Sequence, residues 1–348
     1  MKKLKFSLAP DLGTLSERDA KRYFSVVGLA AFGWVIGLYA GSLLLSGVLA
    51  KVAPTAWEHP LFGELLSLIP LYGIAFPILY LILRLLPRDR VQPDKMGAGN
   101  WWMGLCVAFL LMMAGNYVGN ILIAVFEGAT GRSLTNPVEA STVGRAWWIN
   151  LLFVAVLAPI VEELVFRKLL CERLLPLGEG YAVVLSAALF ALVHRNFFQV
   201  FYAFLLGALF AVVYIKTGRL RYSVFYHMVI NLLGGVFAPW VLEKLGPLME
   251  EETIAHLMEA LEAGNVQALS EMLSEYLLPL LLLLGYEALI MIAAVCGIVF
   301  LIIGRKKLRF EQGLLPPPKE GRVANVFCNV GVAAAVTVFA IDFVLSLL

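Results

Sequence analysis

Long apolar runs recur along almost the whole chain, and they restrict its fold more than any other feature. An α-helix needs about 20 mostly apolar residues to cross the hydrocarbon core of a bilayer. The mean hydropathy is +0.85, and only 15% of the residues are charged, against about 25% in soluble domains. We therefore predict an all-α fold, a polytopic transmembrane helical bundle with about eight or nine spans. The candidate spans are 24–50, 61–83, 99–126, 147–165, 181–194, 197–215, 222–240, 277–304 and 323–346.

The distribution of basic residues predicts the orientation of these spans. Loops on the cytoplasmic side carry an excess of Lys and Arg. With the N-terminus inside and the C-terminus outside, 22 of the 27 basic residues fall in inside segments. The exceptions are Lys51, Arg132, Arg145, Arg195 and Lys244. The pair of spans at 181–215 fits least well, because its turn is very short and its first span has only about 14 residues, below the length needed to cross. A hairpin that stops before the far surface is one interpretation of this pair.

A few polar residues lie inside segments that otherwise look membrane-buried. A charged side chain at the bilayer centre costs a few kcal/mol or more, so such residues usually have a function. The spacing i,i+4 predicts an ion pair between Glu163 and Arg167, while Glu162 points about 100° away around the helix. Pro159 predicts a kink just before the two carboxylates. The polar residues are Glu162, Glu163, Arg167, His194, His227 and Asn231.

Three of these side chains have the chemistry to activate a water molecule. Glu162, His194 and His227 could hold Zn²⁺ with one position open for water. They could equally hold a water without a metal, with Glu162 as general base and the histidines polarising the carbonyl or stabilising the oxyanion. Both schemes hydrolyse a peptide bond. The sequence therefore predicts either no cofactor or zinc. A structural pair in which Asn231 orients His227 is the simpler alternative for that motif.

Three short motifs occur in order along successive apolar segments. They are EELVFR at 162–167, FALVH at 190–194 and HMVIN at 227–231. This set resembles the EExxxR, FxxxH and HxxxN motifs of the CPBP family, which contains CAAX proteases and bacteriocin-processing enzymes and is also called Abi. The resemblance covers about 147–240. It implies a membrane core of eight helices and glutamate-dependent intramembrane proteolysis, with prenylated proteins among the possible substrates.

The resemblance also implies a role for each polar residue of the motifs. Glu162 would activate the water, and His194 would contribute to the same water or metal site. His227 and Asn231 would stabilise the oxyanion. The pair Glu163 and Arg167 would support the site.

The same patterns divide the chain into four parts. Residues 1–23 form a cytoplasmic N-terminal segment without the apolar stretch of a cleaved signal peptide. Residues 24–240 form the membrane-embedded core, with the candidate catalytic helices at 147–240. Residues 241–276 are acidic and amphipathic and are expected outside the cytoplasm, as a solvated linker or as a substrate gate. Residues 277–348 hold the last spans and a basic, Pro-rich cytoplasmic linker at 305–322.

The sequence thus favours an intramembrane endopeptidase in the plasma membrane. Its expected partners are the lipid bilayer and a membrane-anchored protein or peptide substrate, prenylated or not. The net charge of +2 gives no reason to expect a nucleic acid, and four scattered cysteines predict no disulfide framework. The alternative is a non-enzymatic immunity or scaffold protein of the same family. A proton-coupled transporter is a third hypothesis, against which no pair of related halves is visible.

Overall fold

The computed structural model describes residues 4–9, 13–55, 60–305 and 308–347. These ranges contain helices and no β-strand, as the sequence predicts. In chain order the helices are α1 (Glu17–Val52), α2 (Pro60–Leu68), α3 (Ile69–Leu83), α4 (Ala98–Thr130), α5 (Pro137–Thr142), α6 (Trp147–Leu177), α7 (Glu179–Leu192), α8 (Phe197–Thr217), α9 (Leu220–Leu248), α10 (Glu251–Glu262), α11 (Val266–Gly304), α12 (Arg322–Phe327) and α13 (Val330–Leu345).

Nine of the described helices occupy the positions of the predicted spans. Six are long and apolar enough to cross a membrane, namely α1, α4, α6, α8, α9 and the part of α11 from Ser274 onward. The other three, α3, α7 and α13, are apolar but shorter. The protein is therefore a multi-pass membrane protein with an all-α fold. Its orientation in the bilayer remains the prediction drawn from the basic residues.

The short helix α7 differs from the predicted span at its end. It has 14 residues and ends at Leu192, so it is about 21 Å long at 1.5 Å per residue. His194 therefore lies in the turn that follows, and not in the helix as the motif spacing suggested. The next helix, α8, is long enough to cross. Only the first helix of the hairpin falls short of the membrane thickness.

Helix α6 carries the first motif, and its hydrogen-bond pattern changes repeatedly along its length. Residues Leu151–Leu157 and Leu164–Cys171 are π-helical, and the intervening Ala158–Glu163 is α-helical with the buried Pro159 near its start. Proline has no N–H to donate, so the helix adjusts locally around it. Single π-turns inside helices are frequent at functional sites. The helix type therefore changes just before the two carboxylates, while the kink expected at Pro159 stays a prediction.

The core brings the three motif segments together at the centre of the bundle. One large apolar cluster joins α1, α3, α6, α7 and α8, and a second joins α4, α8, α9 and α11. Helix α6 packs against both α7 and α9. Of the two carboxylates on α6, Glu162 lines a cavity together with the turn after α7, and both lie near His227 of the third motif on α9.

The C-terminal helix α13 packs directly on α1. Gly28 and Gly331 meet at this contact, and a Cβ atom on either would overlap the backbone of the other helix. The backbone N–H of Gly331 also donates to the hydroxyl of Ser25 at 3.0 Å. Close glycine contacts of this kind let membrane helices approach tightly. Helix α13 is therefore an integral wall of the bundle in the described structure.

The acidic segment forms helices, as its periodicity indicates. Helix α10 packs against α11 and exposes three apolar side chains, Ile254, Met258 and Leu261. The predicted boundary after residue 276 falls inside α11, so the acidic segment continues directly into the following span. Its placement outside the membrane remains a prediction.

Candidate active site

The predicted ion pair of the first motif is present and fully buried. Arg167 Nε lies 3.0 Å from Glu163 Oε2, and its Nη2 donates to Glu163 Oε1 at 3.4 Å. Arg167 Nη1 donates to Ser186 Oγ at 2.8 Å, and this hydroxyl donates to the carbonyl of Phe166 at 3.0 Å. A buried charge is tolerated when it is paired and hydrogen-bonded in this way. Helix α7 thereby helps to fix the carboxylate on α6.

Two phenylalanine rings surround the guanidinium. The Cζ atom of Arg167 lies 5.1 Å from the ring centre of Phe190 and 5.9 Å from that of Phe210. A cation at this distance from an aromatic face is stabilised by the ring quadrupole. Phe190, the first residue of the FALVH motif, therefore contributes to charge stabilisation as well as to packing.

His227 on α9 lies between the two carboxylates. Its Nδ1 is 3.2 Å from Glu163 Oε1, and its Nε2 is 3.7 Å from Glu162 Oε2. The ring packs against Phe190 and Phe210, with centroid separations of 5.5 and 5.4 Å. Because an ionised carboxylate can only accept, the hydrogen of this contact belongs to Nδ1. The Nε2 atom is then the one directed toward Glu162.

His194 is held in a similar way by a backbone group. Its Nδ1 lies 2.8 Å from the carbonyl oxygen of Phe190, and its ring packs edge-on against the Phe190 ring at 5.2 Å. A carbonyl oxygen can only accept, so Nδ1 carries the hydrogen. In the neutral imidazole, Nε2 then has a free lone pair. Phe190 thus contacts both imidazole rings of the site.

Glu162 differs from its neighbour in its surroundings. Its side chain is 31% exposed, and its Oε2 atom is buried without a hydrogen-bond partner among the described residues. It lines a cavity of about 220 Å³ between α1, α3, α6, the turn after α7, and α13. The other walls are mostly apolar and include Trp34, Leu38, Leu71, Tyr72, Phe76 and Phe339. An unpartnered carboxylate in such a cavity needs an explanation, and substrate or water is the natural one.

Asn231 is placed differently from the sequence interpretation. Its Nδ2 donates to the carbonyl oxygen of Val154 at 2.9 Å and so ties α9 to α6. No hydrogen bond joins it to His227 in the described part of the chain. The π-helical turn at Leu151–Leu157 leaves this carbonyl available for a side chain. Asn231 therefore does not orient His227, and one of its two amide hydrogens remains for another acceptor.

Comparison with known proteins supports the family resemblance of the three motifs. Residues 144–233 match the family described as type II CAAX prenyl endopeptidase Rce1-like, and this range contains all three motifs. This part of the chain is therefore similar to a family of CAAX endopeptidases, in agreement with the resemblance carried by the three motifs. The three motifs and the family match lie on the same helices, α6 to α9.

Curated relatives of this chain align with it over part of their length. The membrane-embedded CAAX protease MroQ of Staphylococcus aureus (strain USA300) is 29% identical over 132 residues, 36% of this chain and 53% of MroQ. CAAX prenyl protease 2 of Arabidopsis thaliana is 27% identical over 169 residues, 38% of this chain and 54% of that protein. YdiL of Bacillus subtilis (strain 168), named as a candidate membrane peptidase, is 26% identical over 158 residues, 44% of this chain and 64% of YdiL. The chain thus spans between half and two thirds of the relatives it matches. No solved structure matches it significantly.

The CPBP motif residues have suitable chemistry for a metal but not the required arrangement. Glu162, His194 and His227 would offer one carboxylate and two imidazole nitrogens, a donor set that zinc accepts. Among the described residues, however, no group of three His, Cys, Asp or Glu side chains is placed so that it could hold a metal ion. The roles discussed below are therefore assigned to the side chains alone.

Some residues that contact the site are hard to recognise from the sequence. Ser186 and Phe210 contact Arg167, yet a serine and a phenylalanine inside apolar helices look like ordinary packing residues. One signal was available, because Ser186, Phe190 and His194 recur at intervals of four and so share a helical face. Phe210 gives no such signal, since its role depends on the packing of α8 against α6.

Replacing Ser186 with alanine should destabilise the protein without removing any motif residue. The variant Ser186→Ala leaves one N–H of the buried Arg167 without its acceptor, which costs about 1–3 kcal/mol. We expect a lower unfolding midpoint in detergent. The matched control is Ser274→Ala, because this hydroxyl is exposed and contacts only the carbonyl of Glu271 in its own helix. Equal midpoints for the two variants would contradict the proposed support of Arg167 by Ser186.

Proposed function

We propose that this chain is an intramembrane endopeptidase that hydrolyses a peptide bond of a membrane-anchored substrate with a water activated by Glu162. The observation that carries the proposal is the position of the Glu162 carboxylate. It lines the cavity, one of its oxygens has no hydrogen-bond partner in the described structure, and an imidazole nitrogen of His227 lies 3.7 Å away. The CPBP family match supports the same reaction class.

The two adjacent carboxylates have environments that separate their roles. Glu163 is fully buried and is neutralised by Arg167 and contacted by His227. Glu162 is partly exposed to the cavity and has no such fixed partner. Pairs of titratable groups in different environments typically divide into a supporting group and a reacting group. We assign the reacting role to Glu162 and the supporting role to Glu163.

The proposed reaction uses Glu162 first as a base and then as an acid. A water molecule transfers a proton to the carboxylate of Glu162 while its oxygen attacks the carbonyl carbon of the scissile bond. His194 accepts the second O–H of the water through its Nε2 lone pair and so orients the attack. When the C–N bond breaks, Glu162 returns the proton to the leaving amine nitrogen. The products are a carboxylic acid and an amine, and Glu162 is regenerated. The second water proton stays on the new acid until the acid ionises, by transfer of that proton to the amine or to solvent.

The developing oxyanion requires hydrogen-bond donors in the low-dielectric site. His227 can donate from Nε2 only in its imidazolium form, because its Nδ1–H is committed to Glu163. In that form the positive charges of Arg167 and His227 balance the negative charges of the two glutamates. A cluster without net charge is easier to bury in the membrane interior. Asn231 supplies a second donor through the amide hydrogen that Val154 does not use.

The cavity also indicates the kind of substrate. Its walls are mostly apolar and aromatic, formed by side chains of α1, α3, α6 and α13. An apolar peptide segment or an attached lipid chain fits such a surface better than a hydrophilic peptide. Peptides with and without a prenyl group on a cysteine near the cleavage site will distinguish these two substrate types.

The experiment that tests this proposal compares His194→Ala with His256→Ala. We expect His194→Ala to lower kcat by about 100-fold, a typical loss when the reacting groups are no longer held in position. His256 lies on α10, away from the cavity, so His256→Ala should cleave a membrane-anchored peptide at the wild-type rate. Full activity of His194→Ala would contradict the assignment.

The same preparations test for a metal. Mass spectrometry should find no stoichiometric zinc in active wild-type protein, because the described donors are not arranged to hold it. One equivalent of zinc in the wild type, lost in a His194→Ala/His227→Ala double variant, would contradict the metal-free scheme. It would instead make the two histidines metal ligands.

A further inference from the structure

A second charged residue lines the same cavity as Glu162. Arg195 lies in the turn between α7 and α8, and its side chain forms part of the cavity wall. It is half-buried and pairs with no carboxylate among the described residues. A guanidinium has five N–H donors in a planar fork that matches a carboxylate. None of the catalytic steps above uses it.

The position of Arg195 is fixed by contacts from two other helices. Its Nη1 donates to the hydroxyl of Tyr39 on α1 at 2.9 Å, and that hydroxyl donates to Asp342 Oδ1 on α13 at 2.6 Å. The guanidinium carbon also lies 5.5 Å from the centre of the Tyr39 ring. Tyr39 therefore holds Arg195 by a hydrogen bond and by its ring, and Asp342 orients the Tyr39 hydroxyl. Asp342 itself is buried, and its Oδ2 atom has no hydrogen-bond partner among the described residues.

The backbone conformation of the turn is also fixed by hydrogen bonds. Arg195 has φ of 57°, and it is the one described residue other than glycine with a positive φ. This left-handed conformation is uncommon for a residue with a side chain. The Asn196 side chain holds it, since Nδ2 donates to the carbonyl of His194 at 2.7 Å and Oδ1 accepts from the backbone N–H of Gln199 at 2.9 Å. The turn thus fixes His194 and Arg195 together.

One of the cavity residues, Trp34, has a buried donor that lacks an acceptor among the described residues. The indole Nε1 of Trp34 on α1 is buried and has no hydrogen-bond partner in the described structure, and Trp34 lines the cavity together with Arg195. Buried donors are nearly always satisfied in folded proteins. This N–H is shielded from the cavity, so the guanidinium of Arg195 is the group that faces it. A guanidinium in a mostly apolar cavity is complementary to an anion with oxygen acceptors. A peptide substrate can supply such an anion as a carboxylate, whose two oxygens match the planar fork of a guanidinium.

We infer that Arg195 is a specificity-determining residue that binds a carboxylate of the substrate in the Glu162 cavity. This inference rests on the proposed function, because it places the anionic group close to the bond that Glu162 hydrolyses. The carboxylate is either the free C-terminus of the substrate or an acidic side chain near the scissile bond. The relay from Asp342 through Tyr39 positions the guanidinium.

The test compares three versions of one membrane-anchored peptide. The first ends in a free carboxylate, the second in an amide, and the third in an amide with a glutamate added near the cleavage site. Binding to the Glu162→Gln protein is measured by fluorescence anisotropy in detergent, and cleavage is measured with the wild type. We expect the two anionic peptides, or one of them, to bind 10–100-fold more tightly than the neutral amide, a range typical of hydrogen bonds to charged groups.

Variants of the relay separate a binding role from a structural one. Arg195→Gln, built on the Glu162→Gln protein, should abolish the preference for the anionic peptide, and Arg195→Lys should retain part of it. Tyr39→Phe removes the hydroxyl but keeps the ring, so the preference should fall less than in Arg195→Gln. The matched control is Arg132→Gln, since Arg132 follows α4 and is not part of the cavity wall. With active protein, loss of the Arg195 guanidinium should act mainly on KM.

The outcomes distinguish this inference from the proposed function. Equal binding of anionic and neutral peptides, or an unchanged preference in Arg195→Gln, would overturn the carboxylate site while leaving the protease proposal standing if the wild type cleaves the peptides. A preference that depends on Arg195, without cleavage by the wild type, would support the carboxylate site and contradict the protease. The peptide that binds more tightly of the two anionic ones identifies the source of the carboxylate.

Discussion

The variant Glu162→Gln should lower kcat for a membrane-anchored peptide by about 10²–10⁴-fold, the usual loss when a general base is removed. Glutamine has almost the same shape as glutamate but cannot accept the proton of the attacking water. The substrate should still bind, because the apolar cavity walls remain. We therefore expect KM to change little. Single-turnover cleavage of a fluorescent peptide in detergent measures the chemical step directly.

The matched control for this prediction is Glu287→Gln. Glu287 is also a glutamate within a candidate span, on α11, and it is exposed and not part of the cavity wall. The same chemical change should leave cleavage at the wild-type level there. If both variants cleave at equal rates, Glu162 has no special role. If both fail, the loss reflects the membrane fold and not the reaction, and the assignment of Glu162 loses its support.

Replacing Arg167 should have the largest effect on stability. In Arg167→Leu the carboxylate of Glu163 stays buried, having lost the guanidinium that lies 3.0 Å away. Removing one partner of a buried ion pair typically costs about 3–5 kcal/mol, because the remaining charge is uncompensated. Ser186 and the rings of Phe190 and Phe210 lose their contact with the cation at the same time. We expect a large drop in the unfolding midpoint, or loss of folded protein on expression.

Lys168→Leu is the control for Arg167→Leu, because Lys168 also forms an i,i+4 pair on α6. Its Nζ lies 3.3 Å from Glu172, but its side chain is 47% exposed. Glu172 also retains its contacts with Arg88 and with the hydroxyl of Tyr214. The loss should therefore be at most about 1 kcal/mol, the usual range for an exposed pair. A comparable loss in both variants would contradict the distinct role of the buried pair.

A double variant keeps this prediction testable even when Arg167→Leu does not fold. Glu163→Gln/Arg167→Leu removes both charges, so no isolated carboxylate remains buried. It should be more stable than Arg167→Leu alone, since removing both partners of a buried pair costs less than removing one. A double variant no more stable than the single variant would indicate that packing of Arg167, and not its charge, maintains the site.

Local features of the site could be predicted because they depend on helix geometry alone. The i,i+4 spacing of Glu163 and Arg167 is enough to predict their contact, and the rotation of Glu162 follows from its position one residue earlier. The apolar runs likewise gave the positions of nine helices, since membrane thickness fixes their length. These inferences need no knowledge of how the helices pack.

Features that depend on packing could not be predicted. The end of α7 at Leu192 follows from the left-handed backbone of Arg195 and the capping of α8 by Asn196, and neither is visible as a periodic pattern. The acceptor of Asn231 is a carbonyl 77 positions away, freed by a π-helical turn. Tyr39 and Asp342 are separated by 303 positions. No helical periodicity links residues so distant, so their contact depends on how α1 and α13 pack.

The most direct test of the central claim is cleavage of a membrane-anchored peptide by purified protein in water enriched in ¹⁸O. If Glu162 activates a water for direct attack, the wild type should produce a new C-terminal carboxylate that carries one ¹⁸O after a single turnover, and Glu162→Gln should produce almost none. Cleavage at the wild-type rate by Glu162→Gln, or a properly folded wild type that cleaves neither prenylated nor unprenylated peptides, would contradict the account.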